Sequence, residues 1–370
     1  MRSETPPILR RSALNLKVPS INAIITKPPH RLVTWFKTDR DPHFSFNTSG
    51  TNSTARASLF DTYKNVGTYA LCVSDYLSGV NITDGPLPMT IAISGASGQL
   101  GRAAIGFLKT LAGANPIIAL ARDTGRVADL GVEARPFDYT LPAPALAAAL
   151  TGVETLVLIS SSDFADRVGQ HRNVIEAATA AGVGRIVYTS ILKADVSPLL
   201  IARDHRATEA LIAASGLRAS VLRNGWYTEN WTGSLGATLG AGALIGAAGA
   251  AQFTPATRRD YAEALAIVAA DAAHAGKIYE LAGDEAFTLA ELAAEVARQA
   301  GKPLPYNNLP PEVYQGILES FGLPEGFAAM LVDVDVKAAE GWLKDSSGAL
   351  SGLLGRPTAS MASAVAAALS

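Results

Sequence analysis

The chain has 370 residues, 48% of them hydrophobic, and a formal net charge of -2. That is apolar material for one large core or two modest ones, and too little positive charge for a surface built to displace counterions from nucleic acid. The single cysteine, Cys72, excludes an intrachain disulfide, a thiolate zinc site and a Cys-x-x-Cys redox centre. Five histidines, none at ligand spacing from a carboxylate, argue against a metal enzyme. No run reaches the roughly 20 apolar residues of a membrane span; the nearest, 235–251, is glycine-dense and reads as loop and helix ends. Nothing after Met1 has the apolar core and small-residue cleavage site of a secretory signal. A cytoplasmic setting is expected, with neither a membrane nor a nucleic acid as partner.

Composition changes near residue 88, where alanine rises from about 6% to about 22%. Residues 1–88 are rich in Ser, Thr, Asn and Pro, and the apolar runs 23–25 and 69–73 lack partners. The segment is expected to be mostly disordered or weakly structured. Its first forty residues carry eight Lys/Arg against two acidic residues, the balance of an organellar transit peptide. The blander explanation is that Met89 is the true start and the residues before it are upstream sequence. From Met89 a regular alternation sets in. Apolar strands are predicted at 89–94, 116–121, 132–137, 155–160, 185–190 and 218–222, with helices between them, notably at Gln99–Leu111, 163–181 and 197–214. Continuous apolar strands alternating with helices give a parallel sheet covered on both faces, the Rossmann-type doubly wound α/β fold. Further on come a helix at 260–270 with Asp260 as N-cap and a strand at 279–282. A helix at 288–299 follows, with Thr288 and Glu291 in a capping-box pattern. A tail of several helices completes a smaller C-terminal α/β lobe that closes over the sheet edge.

Between the first strand and the first helix lies Gly95-Ala-Ser-Gly-Gln-Leu-Gly101. Gly95 permits a tight turn, Gly98 lets an anion approach the backbone, and Gly101 lets the helix pack close. The helix N-terminus adds unsatisfied N–H donors and a positive dipole end. Placed between strand and helix, this Gly-x-x-Gly-x-x-Gly loop reads as the pyrophosphate cradle of a dinucleotide. An acidic residue closing the second strand would hold a ribose 2′-hydroxyl. Arg122 stands there instead, with Asp123 after it, so a 2′-phosphate and hence NADPH is favoured.

These stretches resemble the NmrA-like atypical short-chain dehydrogenase/reductases. The likeness rests on the glycine loop and on Leu158-Ile-Ser-Ser-Ser162, Gln170-His-Arg-Asn-Val-Ile-Glu-Ala-Ala178 and Tyr188-Thr-Ser190. It continues in Val221-Leu-Arg-Asn-Gly-Trp-Tyr-Thr-Glu-Asn230, Tyr279-Glu-Leu-Ala-Gly-Asp-Glu285 and Gly355-Arg-Pro-Thr358. The set closely resembles the bacterial NADPH-dependent quinone oxidoreductases of type 2, over 89–370. The resemblance implies two-electron reduction of a small-molecule quinone by NADPH without flavin. It also implies that Gly95, Ala96, Ser97, Gly98, Gln99, Leu100, Gly101, Arg122, Ser160, Ser161, Ser162, Asn224, Gly225, Trp226 and Tyr227 hold the cofactor. Residues 89–370 are thus expected to form the dinucleotide-binding domain, with the substrate lobe mainly from 224–370. A homodimer is left open.

The Tyr-x-x-x-Lys pair of most short-chain reductases is missing. Tyr188 and Lys193 are five apart, and Tyr188 falls in a strand. On the helix that should carry the pair, Ile201 takes the tyrosine's place and His205 the lysine's. A quinone tolerates the loss: hydride addition leaves an aromatic phenolate with a pKa on the order of tyrosine's, about 10, rather than a strongly basic alkoxide. Asn224, Tyr227, Lys193 and His205 are the candidate catalytic groups. Each has a structural alternative: loop hydrogen bonds for Asn224, core packing for Trp226 and Tyr227, solvation for Lys193, and a bond to Glu209 for His205. Two other functions compete, a non-catalytic NADP(H) sensor acting through a protein partner and a reductase of other conjugated compounds.

Overall fold

The computed structural model describes residues 35–37, 44–48, 51–55 and 89–370, and the chain divides into two units between Pro86 and Leu87. In the first, Trp35–Lys37, Phe44–Thr48 and Thr51–Ala55 form a three-stranded antiparallel sheet. The sequence reading anticipated no strand there. Phe44, Phe46 and Thr48 do alternate with Ser45 and Asn47 in the two-residue period of a strand, but over too short a span to stand out. The rest of the expectation for 1–88 lies outside the described residues.

The second unit is built on a seven-stranded parallel sheet. Its strands are β1 (Ile91–Ile93), β2 (Ile117–Ala121), β3 (Glu133–Pro136), β4 (Thr155–Leu158), β5 (Arg185–Ile191), β6 (Arg218–Asn224) and β7 (Ile278–Leu281). They lie in the order β3-β2-β1-β4-β5-β6-β7, so the chain reverses direction across the sheet between β1 and β4. Side chains alternate across each strand. Ile91, Ile93, Ala119, Val157, Val187 and Leu222 pack under helices α1 (Gln99–Leu111) and α4 (Arg258–Ala270). Ala92, Ile118, Leu156, Leu158, Ile186 and Tyr188 face α2 (Arg167–Ala181) and α3 (Leu200–Ser215). This is the doubly wound architecture expected, with strand limits displaced by at most three residues.

Beyond β6 a second core gathers Trp226, Leu235, Phe253, Phe287, Leu289, Met330 and Val365. The stretch read as loop and helix ends holds the short helix Leu235–Ala241 and the strand Leu244–Gly246, which pairs in parallel with Tyr306–Asn308. Helix α4 is capped by Thr257, whose hydroxyl accepts the Asp260 N–H at 3.2 Å. Asp260, predicted as the cap, is the third helical residue; its carboxylate takes the Thr257 hydroxyl and the Arg356 guanidinium instead. Two further helices, α5 (Leu289–Ala300) and α6 (Glu325–Ala339), complete the frame of the lobe. Helix α5 begins with the predicted capping box: Glu291 N–H donates to the Thr288 hydroxyl and the Glu291 carboxylate accepts the Thr288 N–H at 2.7 Å. Losing such a cap costs about 1 kcal/mol. Thr288→Ala should lower the free energy of urea unfolding by about that amount and leave nucleotide affinity unchanged.

Candidate active site

A cavity of about 940 Å³ runs along the C-terminal ends of the strands, across the point where the strand order reverses, where ligands bind in open α/β sheets. One end is the glycine loop. Gly95 has φ +64°, a left-handed conformation that L side chains resist. Gly101 is under tighter constraint, since a Cβ there would lie 2.4 Å from the Gly95 carbonyl oxygen and 2.9 Å from Ala96 Cα. Gly98 is the N-cap of α1 and offers no side chain to its N–H groups, and no acidic residue stands in the first turn. Bare donors and an uncompensated positive dipole end therefore face the cavity beside Ser97, Gly98, Gln99 and Leu100. Ala96 is fully buried behind the loop and does not line the cavity.

Arg122 lines the same end from the tip of β2. Asp123 does not compete with it for a nucleotide: its carboxylate accepts the Gly125 N–H at 2.9 Å and caps the short helix Thr124–Leu130. That turn delivers a second lining arginine, Arg126. Sequence reasoning missed it because the turn lies outside the strand-end position where the cofactor signal is sought.

The middle of the cavity is the turn after β4. Helix α2 holds it through three side chains. Arg167 Nε donates to the Ser161 carbonyl at 2.8 Å, Gln170 Oε1 accepts the Ser161 hydroxyl at 2.6 Å, and His171 Nε2 accepts the Ser161 N–H at 2.9 Å. Because Nε2 accepts, the proton of neutral His171 sits on Nδ1 and faces Thr208 Oγ1 at 2.9 Å. Burial, aided by the charge of Arg167, pushes the His171 pKa down to about 3. His171 is thus a fixture of the turn. Ser160 is tied through its N–H to Thr189 Oγ1 at 2.9 Å, while its own buried hydroxyl, beside the Tyr188 phenol, makes no well-formed hydrogen bond among the described residues.

At the far end, β6 delivers Asn224. Its Nδ2 donates to the Tyr227 hydroxyl at 3.3 Å, and its buried Oδ1 has no partner among the described residues. Tyr227 is packed at 5.2 Å from the Tyr261 ring and lies under the Arg258 guanidinium at 5.0 Å. Trp226 belongs to the core of the C-terminal lobe and also lines the cavity. Gly225 is needed for fit, because a Cβ would lie 2.9 Å from the Tyr261 hydroxyl.

His205 also lines the cavity, but not in the company expected. Its Nδ1 shares a 2.8 Å hydrogen bond with the buried Tyr188 hydroxyl. Glu209, one turn on, is taken by Arg223 at 2.7 Å and by Ser190 at 2.5 Å. Burial lowers the His205 pKa and raises that of Tyr188, so both are neutral near pH 7. Lys193 is not brought to the site. Its backbone takes a left-handed turn, φ +55°, its N–H is held by Glu280, and its ammonium donates to the Lys344 carbonyl at 2.8 Å.

Ile201 and His205 of α3 face Phe164, Phe327, Met330 and Leu331 across the cavity. The Phe164 and Phe327 rings meet at 5.2 Å. This apolar chamber was not read from the sequence. Helix α6 was seen only as part of a tail, and Phe164 and Arg167 precede the stretch to which the substrate lobe was assigned.

Among the described residues there is no cluster able to hold a metal and no helix long and apolar enough to cross a membrane. Residues 88–341 match the model of the NmrA-like family. Quinone oxidoreductase 2 of Escherichia coli is 50% identical over 278 residues, 74% of this chain and 97% of that protein. The solved structure of an Escherichia coli NADPH-dependent quinone oxidoreductase in complex with NADPH superposes with a TM-score of 0.72 at 48% identity, covering 76% of this chain and all of that one. Triphenylmethane reductase of a Citrobacter species, complexed with NADP(H), gives 0.70 at 32% identity over 75% of this chain and 99% of its own.

If Arg122 reads the 2′-phosphate, Arg122→Ala should weaken NADPH binding by about tenfold to a hundredfold and leave NADH binding unchanged. Fluorescence titration of both nucleotides measures the difference, and an equal loss for the two would contradict the assignment.

Proposed function

The chain belongs to the NmrA-like family, and from that premise we propose that it reduces quinones by two electrons with NADPH, without a flavin. The observation that carries the reading is one continuous cavity with two kinds of wall. Its polar end matches a dinucleotide, and its other end is an apolar chamber lined by Phe164, Ile201, Phe327 and Met330. The residues present fit the nucleotide. The uncapped N-terminus of α1 and the Gly95–Gly101 contact form a pyrophosphate cradle. Asn224 Oδ1 and Ser160 Oγ are buried polar atoms whose desolvation is offset only by a partner such as the nicotinamide end.

Bound NADPH supplies hydride. The chain's own part is to seat and orient the acceptor, exclude water and meet the charge that forms on its oxygen. The glycine loop and Arg122 fix the nucleotide, and Asn224 and Tyr227 close its inner end. His205, held by Tyr188, presents a neutral ring to the chamber. Neither His205 nor Tyr188 gives up a proton readily, which suits an acceptor whose reduced oxygen is a weak base. Residues 224–370 supply the lobe that covers the chamber. The same reading keeps the short-chain dehydrogenase/reductase class and a cytoplasmic setting, and a homodimer is compatible with it.

The test is steady-state loss of NADPH absorbance with a simple benzoquinone and no added flavin. Sustained turnover is expected. NADPH binding without turnover on any quinone would contradict the proposal and point to a sensor.

A further inference from the structure

We propose that Arg167 is a catalytic residue of this reaction, its guanidinium facing the chamber and taking up the negative charge that forms on the substrate oxygen; this rests on the function proposed above. Arg167 opens helix α2 and lines the cavity, yet its side chain is only 4% exposed. Burying a guanidinium is costly unless its donors are paired. Other buried arginines of this protein meet that condition. Arg185 donates to Thr155 Oγ1 and to the carbonyls of Asp271 and Ala269, and Arg223 is held by Glu209, Glu280 and Asp195. Arg167 is poorly compensated by comparison. Nε reaches the Ser161 carbonyl, and Nη1 makes one long contact of 3.4 Å with Asp204, a partly exposed carboxylate. Among the described residues Nη2 makes no hydrogen bond, Asp163 acts on the charge only from beyond ion-pair distance, and the guanidinium carbon lies 4.5 Å from the Phe164 ring centre.

The surroundings show what this charge is for. Tyr188, His171 and His205 form a buried floor beside it, and the positive charge helps to keep both histidines unprotonated. The floor therefore gives up no proton readily. In the reaction the quinone accepts a hydride, one proton with two electrons, from NADPH, which leaves as NADP+. One quinone oxygen is then a phenolate, and a proton from solvent completes the hydroquinone. Until that proton arrives, the charge has to be held in a desolvated chamber, where a fixed cation acts far more strongly than in water. Arg167 takes over by electrostatics part of what the missing Tyr-x-x-x-Lys pair would do by proton transfer.

The NADP+-loaded protein, titrated with 4-nitrophenol, tests this directly, since the phenolate absorption band reports ionisation of the bound probe. Wild type should bind it as phenolate with a lowered apparent pKa. Arg167→Gln should abolish that shift and Arg167→Lys should keep part of it. With benzoquinone, Arg167→Gln should lose on the order of a hundredfold to a thousandfold in kcat, far more than the loss in NADPH affinity that follows from removing the Nε bond to the Ser161 carbonyl, with partial rescue of kcat by lysine. A role confined to holding the Ser161 carbonyl would lower nucleotide affinity and kcat together and would not move the ionisation of a bound phenol. An unshifted probe in wild type, or Arg167→Gln matching wild type in shift or kcat, overturns the inference while the quinone reading stands. Wild type that turns over no quinone overturns both.

Discussion

The approach of helix α1 to its own entry loop governs what this protein can do. A hydrogen atom is all that fits at Gly101, because the Gly95 carbonyl oxygen occupies the space of a side chain. That contact draws the first turn of α1 down against the end of β1 and leaves its N–H groups bare at the floor of the cavity. The reversal of strand order between β1 and β4 opens the crevice at the same place. Anion binding, cofactor orientation and the position of the substrate chamber all follow from this geometry.

A second constraint acts deeper in the site. Helices α2 and α3 and strand β5 between them carry a set of buried polar groups, His171, Thr208, His205 and Tyr188, that satisfy one another while leaving no charge on the imidazoles. Helix α2 also holds the Ser160–Ser162 turn through Arg167, Gln170 and His171, so that turn and the chamber floor form one hydrogen-bonded assembly. Under the proposed mechanism, fixed electrostatics takes the place of proton transfer. That arrangement suits an acceptor driven by aromatisation and would serve an aliphatic ketone poorly.

The frame was legible in the sequence because its signals are local. Apolar runs flanked by helical periods gave the strands, Thr288 and Glu291 gave a helix start, and the spacing of three glycines gave the tight turn into α1. Where local rules competed, the reading slipped. Thr257 and Asp260 both make good caps, and the choice depended on Arg356, nearly a hundred residues on. Lys193 looked available, but a left-handed turn and the Lys344 carbonyl claim it. His205 and Glu209 share a helical face, yet Arg223 from β6 draws the carboxylate away. The chamber was beyond reach for the same reason: Phe164 and Phe327 are far apart in the chain, and only the fold brings their rings together.

The account depends most on the glycine contact, and one titration reaches it. NADPH binding should be measured by fluorescence for wild type and Gly101→Ala, each shown to be folded by its circular dichroism and melting temperature. A methyl group 2.4 Å from a carbonyl oxygen must push α1 away from the loop. The account predicts a folded protein whose NADPH affinity falls by at least about tenfold. A folded Gly101→Ala protein that binds NADPH as tightly as wild type would contradict it.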